Sequence, residues 1–146
     1  MKQLTLLALS LFLIFGCSSE EPGPVVIPDD FDLASKWVFT HVEIDATVAG
    51  LPQSGSDDNP IGYVEFFEDG TGFSEYSFEV LGFPLAESAN ITWEREGNTV
   101  TLNNLDNGLV DVWTILAVDN NNIQAQFDRE FSSLNRGTLT ADMIRE

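Results

Sequence analysis

The sequence predicts an all-β chain: an eight-stranded antiparallel up-and-down β-barrel, with an antiparallel β-sandwich as the rival. Three observations carry this. Asn90 to Leu102 alternates around a tight Gly/Asn turn: Ile91 and Trp93 against Thr92 and Glu94, then Arg95-Glu96-Gly97-Asn98, then Val100 and Leu102 against Thr99 and Thr101. Period-two alternation about such a turn marks a β-hairpin. The segments on either side repeat the pattern, joined by connections that alternate between tight and longer. No segment holds a helical apolar period over three turns, and the spacing of Pro and Gly opposes helix.

In order, the first predicted strand is Lys36 to Asp45, with Trp37, Phe39 and His41 on one face and Val38, Thr40, Val42 and Ile44 on the other. Ala46 to Ile61, rich in Gly, Ser, Pro and Asp, reads as a long loop. Gly62 to Phe67 is the second strand, Glu68-Asp69-Gly70 turns it, and Thr71 to Val80 is the third, with Tyr76, Phe78 and Val80 opposite Glu75, Ser77 and Glu79. Leu81 to Ala89 reads as a loop, and the central hairpin supplies strands four and five. After a polar loop at Asn103 to Gly108, Leu109 to Val118 is strand six, apolar on both faces. Asp119-Asn120-Asn121-Asn122 turns it into Ile123 to Asp128. Arg129 to Arg136 is a loop, and Gly137 to Arg145 is the last strand. In a meander, alternate connections lie at one end, so one end is tightly closed and the other carries the longer loops. Closure into a barrel removes the sheet edges.

The 146 residues suit one domain plus a small extra segment. Apolar residues make up 43% of the chain, with 11 Phe and 3 Trp, enough to fill a core. The formal net charge is −18. So negative a surface, with no basic stripe, repels phosphate backbones and excludes a nucleic-acid partner.

The extra segment is N-terminal. Met1-Lys2-Gln3 precedes an apolar run, Leu4 to Phe15, of the length of a secretory core and too short to span a bilayer. It ends Leu13-Ile14-Phe15-Gly16-Cys17, which resembles the lipobox of bacterial lipoproteins; Phe15 departs from the small residue usual there. The resemblance implies a signal peptide over residues 1–16, cleavage before Cys17 and lipidation of that residue. Several acyl chains anchor a protein stably where one is marginal. Cys17 is the lone cysteine, so no internal disulfide forms. Ser18 stands where inner-membrane retention uses Asp, and Ser18-Ser19-Glu20-Glu21 is similar to an acidic export signal, which implies an outer-membrane protein facing the exterior. Residues 17–32, with Pro22, Pro24 and Pro28 and five acids, read as a semi-extended tether, and residues 33–146 as the barrel.

Ser35-Lys36-Trp37 at the first strand, Phe66-Phe67-Glu68-Asp69-Gly70-Thr71 at the first tight hairpin, Trp93 with Gly97-Asn98-Thr99-Val100-Thr101-Leu102 at the second, and a last strand ending in Arg145 together resemble a small bacterial lipocalin-like domain. The resemblance implies that Trp37 plugs the closed end and that Arg145 stacks on it. Ser35 replaces the Gly of the family's Gly-x-Trp, and the terminal helix of full lipocalins is absent. It also implies a small apolar ligand, although the interiors of small members can be filled.

From the residues themselves, an apolar mouth is the leading candidate site. Phe83, Phe127 and Phe131 lie in or beside the longer loops, Tyr76, Phe78 and Ile91 lead toward the same end, and His41 lines the barrel or its mouth. The same residues would equally serve as core. A single histidine with no second His makes a weak transition-metal site, and Asp57-Asp58-Asn59 lacks the spacing of a calcium loop, so no metal and no cofactor is expected. No Gly-x-Ser-x-Gly elbow occurs, and Glu65, Glu75 and Glu79 alternate with apolar neighbours, so no catalytic residue is assigned and the chain reads as non-enzymatic. On strand six, Trp113 and Ile115 form an outer patch if Val110, Val112, Leu116 and Val118 face inward. Two readings follow: a carrier holding a small apolar ligand in the barrel mouth, or a filled barrel that engages another envelope protein.

Overall fold

A computed structural model describes residues 26–132 and 135–146, apart from the side chains of Phe83 and of 131–135. Cys17, the expected signal peptide and most of the expected tether lie outside the described residues. Nine strands form one antiparallel sheet: β1 Lys36–Val48, β2 Leu51–Asp57, β3 Ile61–Phe66, β4 Thr71–Val80, β5 Phe83–Glu96, β6 Thr99–Asn104, β7 Val110–Val118, β8 Asn122–Ser132 and β9 Asn135–Arg145. Each pairs with its neighbour in sequence from β3 onward, and β9 pairs along β1 from Trp37↔Arg145 to Thr47↔Arg136. That pairing closes the sheet and excludes the sandwich. Strands β2 and β3 share one edge of β1, β3 along Lys36–Val38 and β2 along Val42–Val48, so the nine strands fill eight positions around the barrel.

The longer loops at one end are mostly strand. Residues 46–61 contain β2, joined to β1 through Ala49-Gly50, whose φ angles are 51° and 83°. Residues 81–89 extend β5, joined to β4 through Leu81-Gly82, at 55° and 76°. Both are two-residue turns with positive φ at both positions, which matches the strand twist but places Ala or Leu where Gly or Asn is usual. Strands β8 and β9 likewise absorb most of 129–136. The β6–β7 connection, from Leu105 to Leu109, stays a loop, as does the short link at residues 58–60. The barrel therefore has a turn end, with the β3–β4, β5–β6 and β7–β8 turns, and a hairpin end made of extended strand pairs.

A bulge on β1 and the phase of β7 correct the expected faces. The β1–β9 register slips between Phe39 and His41, which leaves Thr40 as the extra residue. Trp37 and Phe39 point inward before it, and Val42, Ile44 and Ala46 after it, so His41 turns outward. On β7, Trp113 and Ile115 are buried at 3% and 2% exposure, whereas Val110 and Val112 are exposed. The expected Trp113 patch is thus core. The outer strip is Val110 and Val112, continued by Leu105 and Leu109, each more than half exposed.

The turn end is sealed by the chain's own lead-in. Ile27 and Leu33 are buried, and Trp37 is wholly buried, its indole N–H donating to the Leu33 carbonyl at 2.9 Å. The Arg145 guanidinium lies 4.8 Å over the Trp37 ring and donates to the Asp32 carbonyl. Arg95 donates to the carbonyls of Phe31 at 2.8 Å and Pro28 at 3.0 Å. Above this plug a layer of rings crosses the barrel. Phe39 meets Tyr76 at 5.6 Å, Phe78 at 6.1 Å and Trp113 at 6.4 Å between centroids; Tyr76 stacks on Phe78 at 5.1 Å and Trp113 on Phe127 at 4.8 Å. These are contact separations, and each buried ring contributes about 1.5–3 kcal/mol.

Candidate functional site

At the hairpin end the inward alternation continues past the apolar core and turns polar. Glu87 continues the buried face of Ala89 and Ile91, Asp111 that of Trp113 and Ile115, and Arg129 that of Ala125 and Phe127. The three side chains converge over the ring layer. Arg129 Nη2 lies 2.8 Å from Asp111 Oδ2 and 3.3 Å from Glu87 Oε2, and donates to the Tyr76 hydroxyl at 2.6 Å. Its guanidinium carbon stands 5.9 Å from the Phe127 centroid. The Arg129, Glu87 and Asp111 side chains keep 15%, 16% and 17% of their exposure, so the centre is largely withdrawn from water.

Two carboxylates on one guanidinium leave one negative charge in excess. Burial pushes the Asp111 carboxyl above its ordinary range against the pull of Arg129, and Glu87 adds to the rise. Burial also pushes the Tyr76 phenol up to about 12, so it stays protonated at neutral pH. Gly62 lets the β3 backbone pass tightly behind Tyr76: a Cβ there would lie 2.1 Å from the Glu75 carbonyl oxygen and 2.3 Å from Tyr76 Cα.

Arg129 forms a shared wall between two clefts. One, of about 750 Å³, spans β2, β1, β9 and β8 and includes Asp45, Gln53, Asp128 and Arg136 in its lining. The other, of about 330 Å³, is bordered by Tyr76, Leu85, Glu87, Asn104 and Leu109. Asn104 is buried and its side-chain oxygen accepts from the backbone N–H groups of Asp106 and Asn107 at 2.9 and 3.2 Å, which shapes the β6–β7 loop.

Of the mouth residues expected from sequence, Tyr76, Phe78 and Phe127 come together in the ring layer, and Ile91 is buried further along β5. Phe83 and Phe131 belong to β5 and β8, but their side chains lie outside the described residues. His41 stands apart, on the outer face, with Nδ1 2.8 Å from Asp58 and Nε2 3.3 Å from Glu43. Asp57 accepts from the Asn59 backbone N–H, which is turn chemistry, and from the Glu79 backbone N–H of β4. Among the described residues, no three His, Cys, Asp or Glu side chains are grouped to hold a metal ion. The polar residues of the mouth, Glu87, Asp111 and Arg129, have no counterpart in the sequence expectations, although each stands in phase with buried neighbours.

A family model described as a lipocalin-like domain matches residues 33–125. The chain belongs to that family. The match opens at Leu33, just before the Trp37 plug, and closes at Ala125 within β8. The rest of the lipocalin-like barrel, with Phe127, Arg129 and β9, follows it. Among solved structures, bovine odorant binding protein complexed with its natural ligand is similar at 13% identity, covering 82% of this chain and 77% of that one, with a TM-score of 0.46. The complex of the same bovine protein with a selenium-containing odorant gives 14% identity over 79% and 76%, at 0.47. No curated protein matches significantly.

Proposed function

We propose that this chain is a non-enzymatic, lipid-anchored outer-membrane protein, facing the exterior, that binds a small apolar ligand at the hairpin-end mouth of its barrel. The observation that carries the reading is the Arg129 centre: a desolvated ionic lid on an aromatic layer, with a cleft on each side. Membership of the lipocalin-like family supports it. Side-chain bonds hold this lid, and rotamer changes of Arg129 into either cleft uncover the Phe127 ring. The lead-in crosses the turn end, so a tether running to Cys17 leaves the mouth pointing away from the membrane. The test is native mass spectrometry of the full chain extracted from membranes. A bound small molecule, lost in Phe127→Trp or Tyr76→Trp, is the expected result. A bare protein that also ignores a fluorescent fatty-acid probe ends the reading. The anchor is checked separately: Cys17→Ser should release the protein from the membrane fraction, and protease added to intact cells should degrade the wild type.

The exposed strip of Leu105, Leu109, Val110 and Val112 favours a second reading, an envelope protein partner. Val112→Glu should leave thermal stability within a degree or so of wild type, because the side chain is exposed. It should also abolish recovery of any partner cross-linked in intact cells. Unchanged cross-linking would sink this alternative.

A further inference from the structure

The three tryptophans differ in one respect. Trp37 donates its indole N–H to the Leu33 carbonyl, and Trp93 to the carbonyls of Phe67 and Thr71 at 3.1 and 3.0 Å. Trp113 Nε1 is shielded from solvent and has no hydrogen-bond partner among the described residues. Its ring is 3% exposed, stacked on Phe127 with 13° between planes and set edge-on to Phe39, both of which lack an acceptor oxygen. It sits one inward position below Asp111, directly under the Arg129 centre. A buried donor left unpaired carries a desolvation cost that a phenylalanine at the same place would avoid.

We infer that Trp113 Nε1 is the polar contact for a ligand that displaces the Arg129 side chain at the mouth, and that this ligand is an uncharged apolar molecule bearing a hydrogen-bond-accepting oxygen, such as a ketone or ester. This rests on the ligand-binding reading above and names its ligand class. The charge of the lid selects against the alternatives. Two carboxylates, Glu87 and Asp111, face the one guanidinium of Arg129, so the mouth is net negative and an anionic head group meets repulsion. A plain hydrocarbon entering beside Phe127 would leave the indole unpaired. The ligand reaches Trp113 when the Arg129 side chain turns into one of its flanking clefts and exposes the Phe127–Trp113 stack.

The test uses the full chain in lipid nanodiscs, with empty nanodiscs subtracted, titrated with three probes of one chain length: 2-decanone, decane and decanoate. Two-dimensional 1H–15N spectra follow the indole signals, and Trp113→Phe assigns the one that matters. The expected result is that 2-decanone binds about two- to tenfold more tightly than decane, the span of one neutral hydrogen bond. Decanoate should bind weakest, and only 2-decanone should shift the Trp113 indole proton downfield. Trp113→Phe should erase the gap between ketone and alkane. Equal affinities with an unmoved indole signal overturn the inference and leave the ligand reading standing, as does tightest binding by decanoate. Failure of all three probes to bind overturns both. The indole shift is read on the wild type, so a poorly folded Trp113→Phe does not remove the test.

Discussion

Each end of the barrel sets arginine over aromatic rings, and the partners of the arginine differ. At the turn end, Arg145 covers Trp37 and bonds the Asp32 carbonyl, while Arg95 bonds the carbonyls of Pro28, Phe31 and Gly97. Every acceptor is main chain, fixed by the fold. At the hairpin end, Arg129 covers Phe127 and bonds Glu87, Asp111 and Tyr76, all side chains that rotate and, for the acids, titrate. A guanidinium held by main-chain carbonyls is a permanent plug. One held by side-chain carboxylates has a hold that depends on pH.

The largest effect should come from the plug. Trp37→Ala empties a wholly buried site and should cost about 3–5 kcal/mol, read from urea unfolding of the full chain. A loss below about 1 kcal/mol would mean that the lead-in collapses into the space and that the turn end is as yielding as the mouth.

Arg129→Met comes next. It leaves Glu87 and Asp111 facing each other with little water and should destabilise by about 2–4 kcal/mol. The triple change Arg129→Met, Glu87→Gln, Asp111→Asn should recover most of that, because the uncompensated charge goes with the carboxylates. If the single variant is as stable as wild type, water reaches the centre and the distinction between plug and lid weakens. If the triple variant stays as unstable as the single, the loss is one of packing over Phe127 and the ionic account fails.

The two ends were unequally legible from sequence. The turn end carries local signals: Trp37 and Arg145 flank the barrel in the chain, and Asp69-Gly70 and Gly97-Asn98 announce their turns. The hairpin end carries few. Its two-residue turns, Ala49-Gly50 and Leu81-Gly82, set a residue with a Cβ at positive φ, so nothing distinguished them from loop. On β7 the apolar residues lie on both faces, and a reading displaced by one position exchanges core for surface. The bulge at Thr40, which turns His41 outward, is set by pairing with β9 and leaves no local trace. The Arg129 centre had a signal that could have found it: Glu87, Asp111 and Arg129 each break an apolar series in phase with it, as a polar layer at the rim of a barrel should.

The smallest effect sharpens the comparison through pH. Asp119, in the β7–β8 turn, accepts from the Asn121 and Asn122 backbone N–H groups at 2.9 and 2.8 Å, which holds its carboxyl below the ordinary 3.8. A depressed carboxyl binds protons less readily folded than unfolded, so its stabilisation is present above 3.8 and is lost as pH falls through the folded value. Asp111 at the mouth is the reverse. Burial raises its carboxyl, the folded state takes the proton first, and stability declines as pH climbs from 3.8 to the raised value. Urea midpoints taken from about pH 2.5 to 6 should therefore move in opposite senses. Relative to wild type, Asp119→Asn should lose ground as pH rises through the window below 3.8, and Asp111→Asn should gain ground in the window above it. Parallel slopes would mean that the mouth carboxylate is as well solvated and bonded as a turn carboxylate. Opposite slopes assign the acid-stable closure to the mouth: mild acid removes the excess charge beneath Arg129 and tightens the hairpin end, while the turn end loosens only in stronger acid.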